Sequence, residues 1–256
     1  MYDAGVTTTS EDSMMHGGCI YNEGYLRFEG GFGAGTCKTV SSDPSAIPGN
    51  GAGLWNGPEG KVVFKGYTSF DNCGEPTGLT NAWREGRDGG AIYTEGKVSF
   101  FMPAEFIDNH GDQGGAVFIA EGGEMKFLKR AKVTFTESHA EDRGGHIANY
   151  GSLVLRNTGV FHDGLADASG GAIYTYGEML FVKHVDFLDN TAGAHGGAIA
   201  TDYNLIQYLP DDVTYEGNSR TNADQDFECD NVYANGAADG GEDGYTCFPG
   251  GSSYSS

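Results

Sequence analysis

A short glycine-rich phrase recurs along most of this chain, and its recurrence restricts the possible fold more than any other feature. Copies of the phrase, two glycines followed by a variable and then an aliphatic residue, begin at Gly17, Gly89, Gly114, Gly144, Gly170 and Gly196, with a degenerate copy at Gly51. After each copy come a second apolar run, usually opened by a turn glycine, and in most units a third run such as Glu105–Asn109. Units of this length that follow one another directly indicate a repeat protein whose units stack on their neighbours.

The three runs of each unit alternate apolar and polar positions with a period of two, which is typical of β-strands. No run shows a helical period, and three strands in each unit predict an all-β solenoid, a parallel β-helix of about seven coils. In the first run the fourth position is aliphatic in every copy and should point inward: Ile20, Leu54, Ile92, Val117, Ile147, Ile173 and Ile199. The sixth position has the same parity and should form a ladder of asparagine and threonine side chains inside the coil.

Composition and charge limit the partners that such a protein can have. The 43 glycines among 256 residues follow no every-third-residue rule, which excludes collagen, and 15 phenylalanines and 14 tyrosines are too many rings for a disordered chain. The net charge of −21 should repel nucleic acids and anionic membrane surfaces. No apolar run approaches the roughly 18 residues of a membrane helix, so direct membrane insertion is not expected. The expected partners are proteins, including further copies of the chain, or polysaccharides.

The phrase GGAI followed by F-x-x-N resembles the repeats of the polymorphic outer membrane proteins and of the wider group of right-handed β-helix surface proteins. The matching residues are Gly89–Ile92 with Phe106–Asn109, and Gly170–Ile173 with Phe187–Asn190. The resemblance covers roughly residues 16–235. It implies a right-handed parallel β-helix with three short strands per coil, displayed outside the cell or on its surface, with an adhesive or structural role.

The limits of the repeat predict the domain organisation. Residues 1–15 are polar, do not read as a signal peptide, and are interpreted as an N-terminal leader or cap. Residues 16–235 form the β-helix. Residues 236–256 lose the pattern and are interpreted as a C-terminal cap followed by a flexible Gly/Ser tail.

The five cysteines suggest disulfide bonds and an oxidising compartment. Cys37 and Cys73 each lie nine residues after an equivalent phenylalanine, so they should stack in adjacent coils within disulfide distance. Cys229 and Cys247 flank the C-terminal cap and form the second predicted pair. Cys19 occupies the small-residue position of its phrase and is predicted to be a free, packed thiol. The alternative is five reduced cysteines in an intracellular protein.

The outward positions of the first run predict a glycan-binding face. Aromatic rings with neighbouring carboxylates suit a polysaccharide, because sugar faces stack on rings and sugar hydroxyls donate to carboxylates. The candidate residues are Tyr21, Trp55, Tyr93, Glu95, Phe118, Glu121, Tyr150, Tyr174 and Tyr176. The alternative interpretation is that aromatic residues simply favour strands and shield the backbone ladder.

An acidic column is the candidate metal site. Two residues after the third-run aromatic ring, carboxylates recur at Asp108, Glu137, Asp163 and Asp189, and their mutual repulsion would be relieved by calcium. Asp88, Asp112 and Asp142 would add ligands if the turns fold back. No known calcium motif is present, so a solvated acidic edge is the alternative. His110 and His139 should also stack in neighbouring coils, where they would suit a transition metal.

No catalytic residue is predicted. A lyase of the pectate type generally needs a basic residue, but no lysine or arginine falls in the strands that begin with the glycine phrase, and the motifs of serine hydrolases, zinc peptidases and phosphate-binding loops are absent from the sequence. Apolar outward residues of the second run, such as Val154 and Leu180, suggest an assembly surface. We therefore expect an extracellular or cell-surface module that mediates adhesive or structural contacts. A polysaccharide lyase or hydrolase that acts along the Tyr/Glu face is the alternative.

Overall fold

The structure, a computed structural model, describes residues 16–39, 49–74, 87–201, 213–221, 231–235 and 245–248. These residues form 27 strands and no helix, arranged in four sheets that run along one column. No helix in this part of the chain has the length and apolar character needed to cross a membrane. The prediction of an all-β parallel β-helix is confirmed.

The first sheet contains the glycine-rich phrases and has nine strands. Its strands are β1 (Ile20–Asn22), β4 (Leu54–Asn56), β7 (Ile92–Thr94), β11 (Val117–Ile119), β15 (Ile147–Asn149), β19 (Ile173–Thr175), β23 (Ile199–Thr201), β26 (Val232–Asn235) and β27 (Tyr245–Phe248). Eight of them are parallel, and the seven that begin with the glycine-rich phrases are in the predicted register, with Ile20 opposite Leu54 and Ile173 opposite Ile199. The ninth, β27, pairs with β26 in the antiparallel sense.

The second sheet has six strands, each opened by the turn that follows the first sheet. They are β2 (Tyr25–Phe28), β5 (Lys61–Phe64), β8 (Lys97–Phe100), β12 (Glu124–Phe127), β16 (Ser152–Leu155) and β20 (Glu178–Phe181). The second and fourth residues of each strand point inward, because strand side chains alternate between the two faces of a sheet; they are buried in the last five strands and partly buried in β2.

The third sheet has seven strands and carries the F-x-x-N phrases. They are β3 (Phe32–Gly35), β6 (Thr68–Asp71), β9 (Ala104–Ile107), β13 (Val133–Thr136), β17 (Gly159–His162), β21 (Val185–Leu188) and β24 (Val213–Glu216). A fourth, short sheet follows at the next corner, with two-residue strands β10 (His110–Gly111), β14 (His139–Ala140), β18 (Leu165–Ala166), β22 (Thr191–Ala192) and β25 (Ser219–Arg220). This short sheet adds a fourth strand to several coils that the sequence predicts to have three.

Two columns of phenylalanine rings fill the interior. In the third sheet Phe106, Phe135 and Phe161 stack with ring centroids 4.6 and 5.0 Å apart. In the second sheet Phe100 and Phe127 stack at 4.7 Å, and the two columns meet edge to face. All these rings are fully buried, and each contributes about 1.5–3 kcal/mol through burial alone. The third-sheet rings stack without a break from Phe70 to Tyr215, whereas Leu155 takes the ring position in the second-sheet column.

The paired glycines are required by the close approach of neighbouring coils. The first glycine of each pair has a positive φ, for example 68° at Gly144, which L-residues with a side chain rarely adopt. A side chain on the second glycine would overlap the next coil, since a Cβ on Gly145 would meet the carbonyl oxygen of Gly171. The phrase is therefore a packing motif.

Buried polar side chains form the predicted ladder inside the first sheet. The amide of Asn22 donates to Oδ1 of Asn56 at 2.7 Å, and Asn56 donates in turn to Oγ1 of Thr94 at 3.0 Å. Asn149 donates to Oγ1 of Thr175 at 3.0 Å. Ile119 interrupts the ladder, and beside this break Oδ1 of Asn149 is buried without a hydrogen-bond partner among the described residues.

Candidate functional site

The outward face of the first sheet does not present a continuous row of exposed rings. Tyr21 is 54% exposed and Tyr176, just beyond β19, is 46% exposed. Between them Trp55, Phe118 and Tyr174 are only 7%, 9% and 2% exposed. We call this row of outward rings, from Tyr21 to Tyr176, the stripe. A saccharide can therefore reach ring faces near its two ends, whereas the rings of Trp55, Phe118 and Tyr174 between them are covered.

Ring stacking and side chains of the preceding corner cover these central residues. Tyr93 stacks on Phe118 with centroids 5.2 Å apart, and the guanidinium of Arg143 lies 4.8 Å from the Tyr174 ring centroid. Arg143 also donates to the Tyr174 hydroxyl at 2.8 Å. The centre of the stripe is thus a small aromatic core on the outside of the first sheet.

A shallow groove, largely open to solvent, lies at the corner between the first and second sheets. Its volume is about 360 Å³, and its floor consists largely of turn glycines, which leave room beside the backbone. The lining residues are Lys97, Gly122, Gly123, Glu124, Tyr150, Gly151, Ser152, Gly177 and Glu178. The ring of Tyr176 lies beside it, 6.1 Å from the ring of Tyr150. The groove brings together a ring, two carboxylates and an ammonium group.

The predicted acidic column has a conformational origin. Asp108, Glu137, Asp163 and Asp189 all lie in the left-handed region, with φ between 50° and 56°. Aspartate and asparagine tolerate this conformation better than most side chains, so a left-handed corner selects them without any metal. Calcium binding along the whole column stays a prediction.

One part of the column forms a compact group of metal-ligating side chains. Nδ1 of His162 lies 3.1 Å from a carboxylate oxygen of Asp163, and Nε2 lies 3.5 Å from an oxygen of Asp189 in the next coil. Within the described ranges this is the one group of three or more such residues whose ligand atoms lie within 4.8 Å of one another. His110 and His139 lie opposite each other in neighbouring coils as predicted, with their rings edge to face and centroids 5.9 Å apart, but they do not belong to such a group.

The corner that precedes the first sheet concentrates carboxylates with little solvent around them. Arg87 contacts Asp112 and Glu141, each at 3.3 Å. Asp88 accepts a hydrogen bond from the backbone N–H of Gln113 at 3.2 Å. Burial, and then the negative charge of Asp112, raise the pKa of the Asp88 carboxyl group from 3.8 to about 7.

Because of this raised pKa, we expect the contribution of Asp88 to the free energy of unfolding to fall as the pH rises from about 4 to about 7. The folded protein binds the Asp88 proton more tightly than the unfolded chain, so protonation stabilises the fold and ionisation removes that contribution as the pH rises. Asp88→Asn keeps an oxygen that can accept from Gln113 and removes the charge. We expect the variant to gain on the order of a few kcal/mol at pH 8 relative to its parent, and little at pH 4, in urea unfolding. An equal gain at both pH values would contradict the assignment.

The disulfide bond differs from the prediction. Cys37 and Cys73 are in register as expected, but Cys37 is bonded to Cys19, with Cα atoms 5.7 Å apart, and Cys73 is a buried free thiol. Parallel in-register neighbours project their side chains side by side about 4.8 Å apart, whereas a disulfide needs Cβ atoms about 3.8 Å apart. Cys19 joins Cys37 across the same coil instead. The predicted pair Cys229–Cys247 lies outside the residues whose side chains are described.

Sequence reasoning missed the role of the asparagine in F-x-x-N. Asn190 is fully buried, and its amide donates to the carbonyl of Phe161 in the preceding coil at 2.9 Å. Its Oδ1 accepts from the N–H of Gly164 at 2.9 Å. Asn109 makes the same pair of bonds to Phe70 and Cys73. The available signal in the sequence was the recurrence of asparagine directly after the acidic residue of the third run, as at Asn109 and Asn190.

These features define the class of the protein: it is a parallel β-helix built from GGA-aliphatic and F-x-x-N repeats. Residues 184–202, which include β21, β22 and β23, match the Chlamydia polymorphic membrane protein repeat. The chain is thus similar to a surface-associated outer-membrane family, which agrees broadly with a location at the cell surface. No curated protein and no solved structure matches the chain.

Proposed function

We propose that this protein is a surface-displayed adhesive module that binds a saccharide in the groove between its first and second sheets. The observation that carries the proposal is the combination of an accessible ring, Tyr176, with a groove that holds Tyr150, Glu124, Glu178 and Lys97. The similarity to a surface-associated repeat family supports display outside the cell.

The chemistry of the groove favours a neutral saccharide. Tyrosine faces stack on the C–H faces of sugars, while carboxylates accept from sugar hydroxyls and an ammonium group donates to ring or carbonyl oxygens. The net charge of −21 repels sulfated or uronic-acid polymers. A hexose or N-acetylated amino sugar therefore fits better than a polyanion.

The column makes the groove rigid. Strand β12 is paired in register on both sides, by β8 and β16, and the backbone N–H of Glu178 donates to the carbonyl of Gly151 at 2.8 Å. A preorganised site loses little conformational entropy on binding, which suits weak contacts that are repeated along a surface.

Tyr176→Ala tests the groove. We expect binding to a glycan array with the parent protein and an affinity loss of about tenfold or more in the variant, because the accessible stacking face is removed. Tyr21→Ala is the matched control, since Tyr21 is equally exposed but lies in the first coil outside the groove. Isothermal titration of the best array ligand measures both.

Two outcomes would contradict this proposal. Equal losses of affinity in Tyr176→Ala and Tyr21→Ala would mean that the glycan binds along the whole stripe and not in the groove. A parent protein that binds no glycan would mean that the ligand is not a saccharide. In the second case the adhesive contact would have to be to protein.

A glycoside hydrolase is the second candidate, because Glu124 and Glu178 both line the groove, two coils apart. Two coil spacings are about 9.6 Å along the backbone, close to the upper limit of the carboxylate separation in inverting hydrolases. Reducing ends released from the bound glycan, and lost in Glu178→Gln, would establish turnover. Binding without release supports the adhesive module.

A further inference from the structure

The left-handed corner after the third sheet brings one imidazole and two carboxylates together from two successive coils. His162 ends β17, Asp163 follows it at the corner, and Asp189 occupies the equivalent corner of the next coil. The imidazole lies between the carboxylates, with one ring nitrogen directed at each, at 3.1 and 3.5 Å. We propose that His162, Asp163 and Asp189 form a binding site for a divalent transition-metal ion of the Zn²⁺ type, which links these two coils.

The spacing of the ligand atoms suits a small ion. One ligand atom from each side chain lies within 4.8 Å of the others, and an ion with bonds near 2.1 Å holds its ligands about 3.0–4.2 Å apart. Small rotations of exposed side chains close that difference. The ligand atoms are one ring nitrogen of His162 and one carboxylate oxygen from each of Asp163 and Asp189.

The donor set selects a transition metal over calcium. Imidazole suits zinc, copper and nickel, whereas calcium prefers six to eight oxygen ligands. The next residue along the column on the far side is Gly217, which contributes no side-chain oxygen. Upstream, Glu137 lies one coil before Asp163 and is not in the compact group. The site therefore has one nitrogen and two carboxylates, and water would complete the coordination.

The site is independent of the proposed saccharide groove. It lies after the third sheet, whereas the groove lies between the first and second sheets, so its test does not depend on glycan binding. The three side chains are 38%, 43% and 58% exposed, and their replacement should leave the folded column intact.

Titration of the whole chain with ZnCl₂ by isothermal calorimetry, in a buffer that does not bind zinc, tests the site. We expect the parent protein to bind one equivalent of zinc, and this binding to be lost in His162→Ala, Asp163→Asn and Asp189→Asn, because each variant removes one of the three ligands. His139→Ala is the matched control, because His139 pairs with a single carboxylate, Asp167, at 3.1 Å. That variant should bind zinc like its parent.

Nuclear magnetic resonance of the imidazole nitrogens provides a second readout. Zinc should shift the His162 nitrogens in the parent protein and in His139→Ala, while circular dichroism confirms that each variant is folded. Zinc binding that is unchanged in His162→Ala would overturn the proposal. Calcium that competes with zinc on equal terms would also overturn it, in favour of a site made by the acidic column alone.

Discussion

Replacement of Gly145 by alanine is expected to lower the free energy of unfolding by about 3 kcal/mol or more, and in the extreme to prevent folding. A Cβ at this position would overlap the carbonyl oxygen of Gly171 and lie 2.6 Å from the backbone nitrogen of Leu165. Both contacts are backbone atoms, and the N–H groups of Gly171 and Leu165 donate to the carbonyls of Gly196 and Ser138, so this backbone cannot rotate away as a side chain would. Urea unfolding followed by circular dichroism measures the change.

Gly33→Ala is the matched control for this substitution. Gly33 lies in strand β3, and a Cβ built on it meets nothing within 4 Å. We expect a change within about 0.5 kcal/mol, and the added methyl group can even stabilise the strand by restricting the unfolded chain. If both variants lost the same stability, the loss would come from glycine replacement in general and not from contact between coils.

The register of the first sheet was predictable from the sequence because a coil repeats its own pattern. Aligning the glycine pairs places Ile92 beside Leu54 and Val117, and the structure pairs these same residues. Parallel stacking in register means that equivalent positions become neighbours, so the inward aliphatic column follows directly from the alignment. Long-range contacts are rarely so accessible to sequence reasoning, and here the repeat supplies them.

The short sheet and the two ends of the column were not predictable in this way. The strands of the short sheet have two residues each, too few to show an alternation of apolar and polar positions. In the first coil Ala34 pairs with Phe70, so β3 has alanine at the position where the third strand elsewhere has an aromatic ring. Strand β26 lacks the glycine pair altogether. Each of these elements is held by pairing with a neighbouring strand and not by a pattern of its own.

In the candidate site, too, the repeat pattern predicts which face a residue lies on but not the contacts that the residue makes. The alternation correctly placed Tyr174 and Phe118 on the outward face, but it could not show that they are buried there. Their burial depends on Arg143 and on stacked neighbouring rings, which are contacts between corners and strands of different coils. Of the compact group around His162, the carboxylates could be predicted because they recur in the repeat. The histidine could not, because it occurs at this position in one coil only.

The second large effect is expected for Phe135→Ala, which should cost about 3–5 kcal/mol of unfolding free energy. Phe135 is fully buried and stacks on Phe106 and Phe161 in the coils on both sides, with centroids 4.6 and 5.0 Å away. It also meets Phe127 edge to face at 6.3 Å. The substitution leaves a cavity that the paired strands around it cannot close, because their spacing is fixed by the hydrogen-bond ladder.

Phe101→Ala is the control that separates the loss of a buried stack from the loss of a ring. Phe101 follows β8 and is only partly buried, and its ring is covered by the ammonium group of Lys65, 3.4 Å from the centroid. Its removal should cost about 1 kcal/mol, the value of an exposed cation–π contact with some burial. Thermal and urea unfolding of Phe135→Ala and Phe101→Ala measure the two losses of stability. Equal losses would mean that the coils are held mainly by their backbone ladders, whereas the expected difference of several-fold would mean that the phenylalanine columns provide the cohesion between coils.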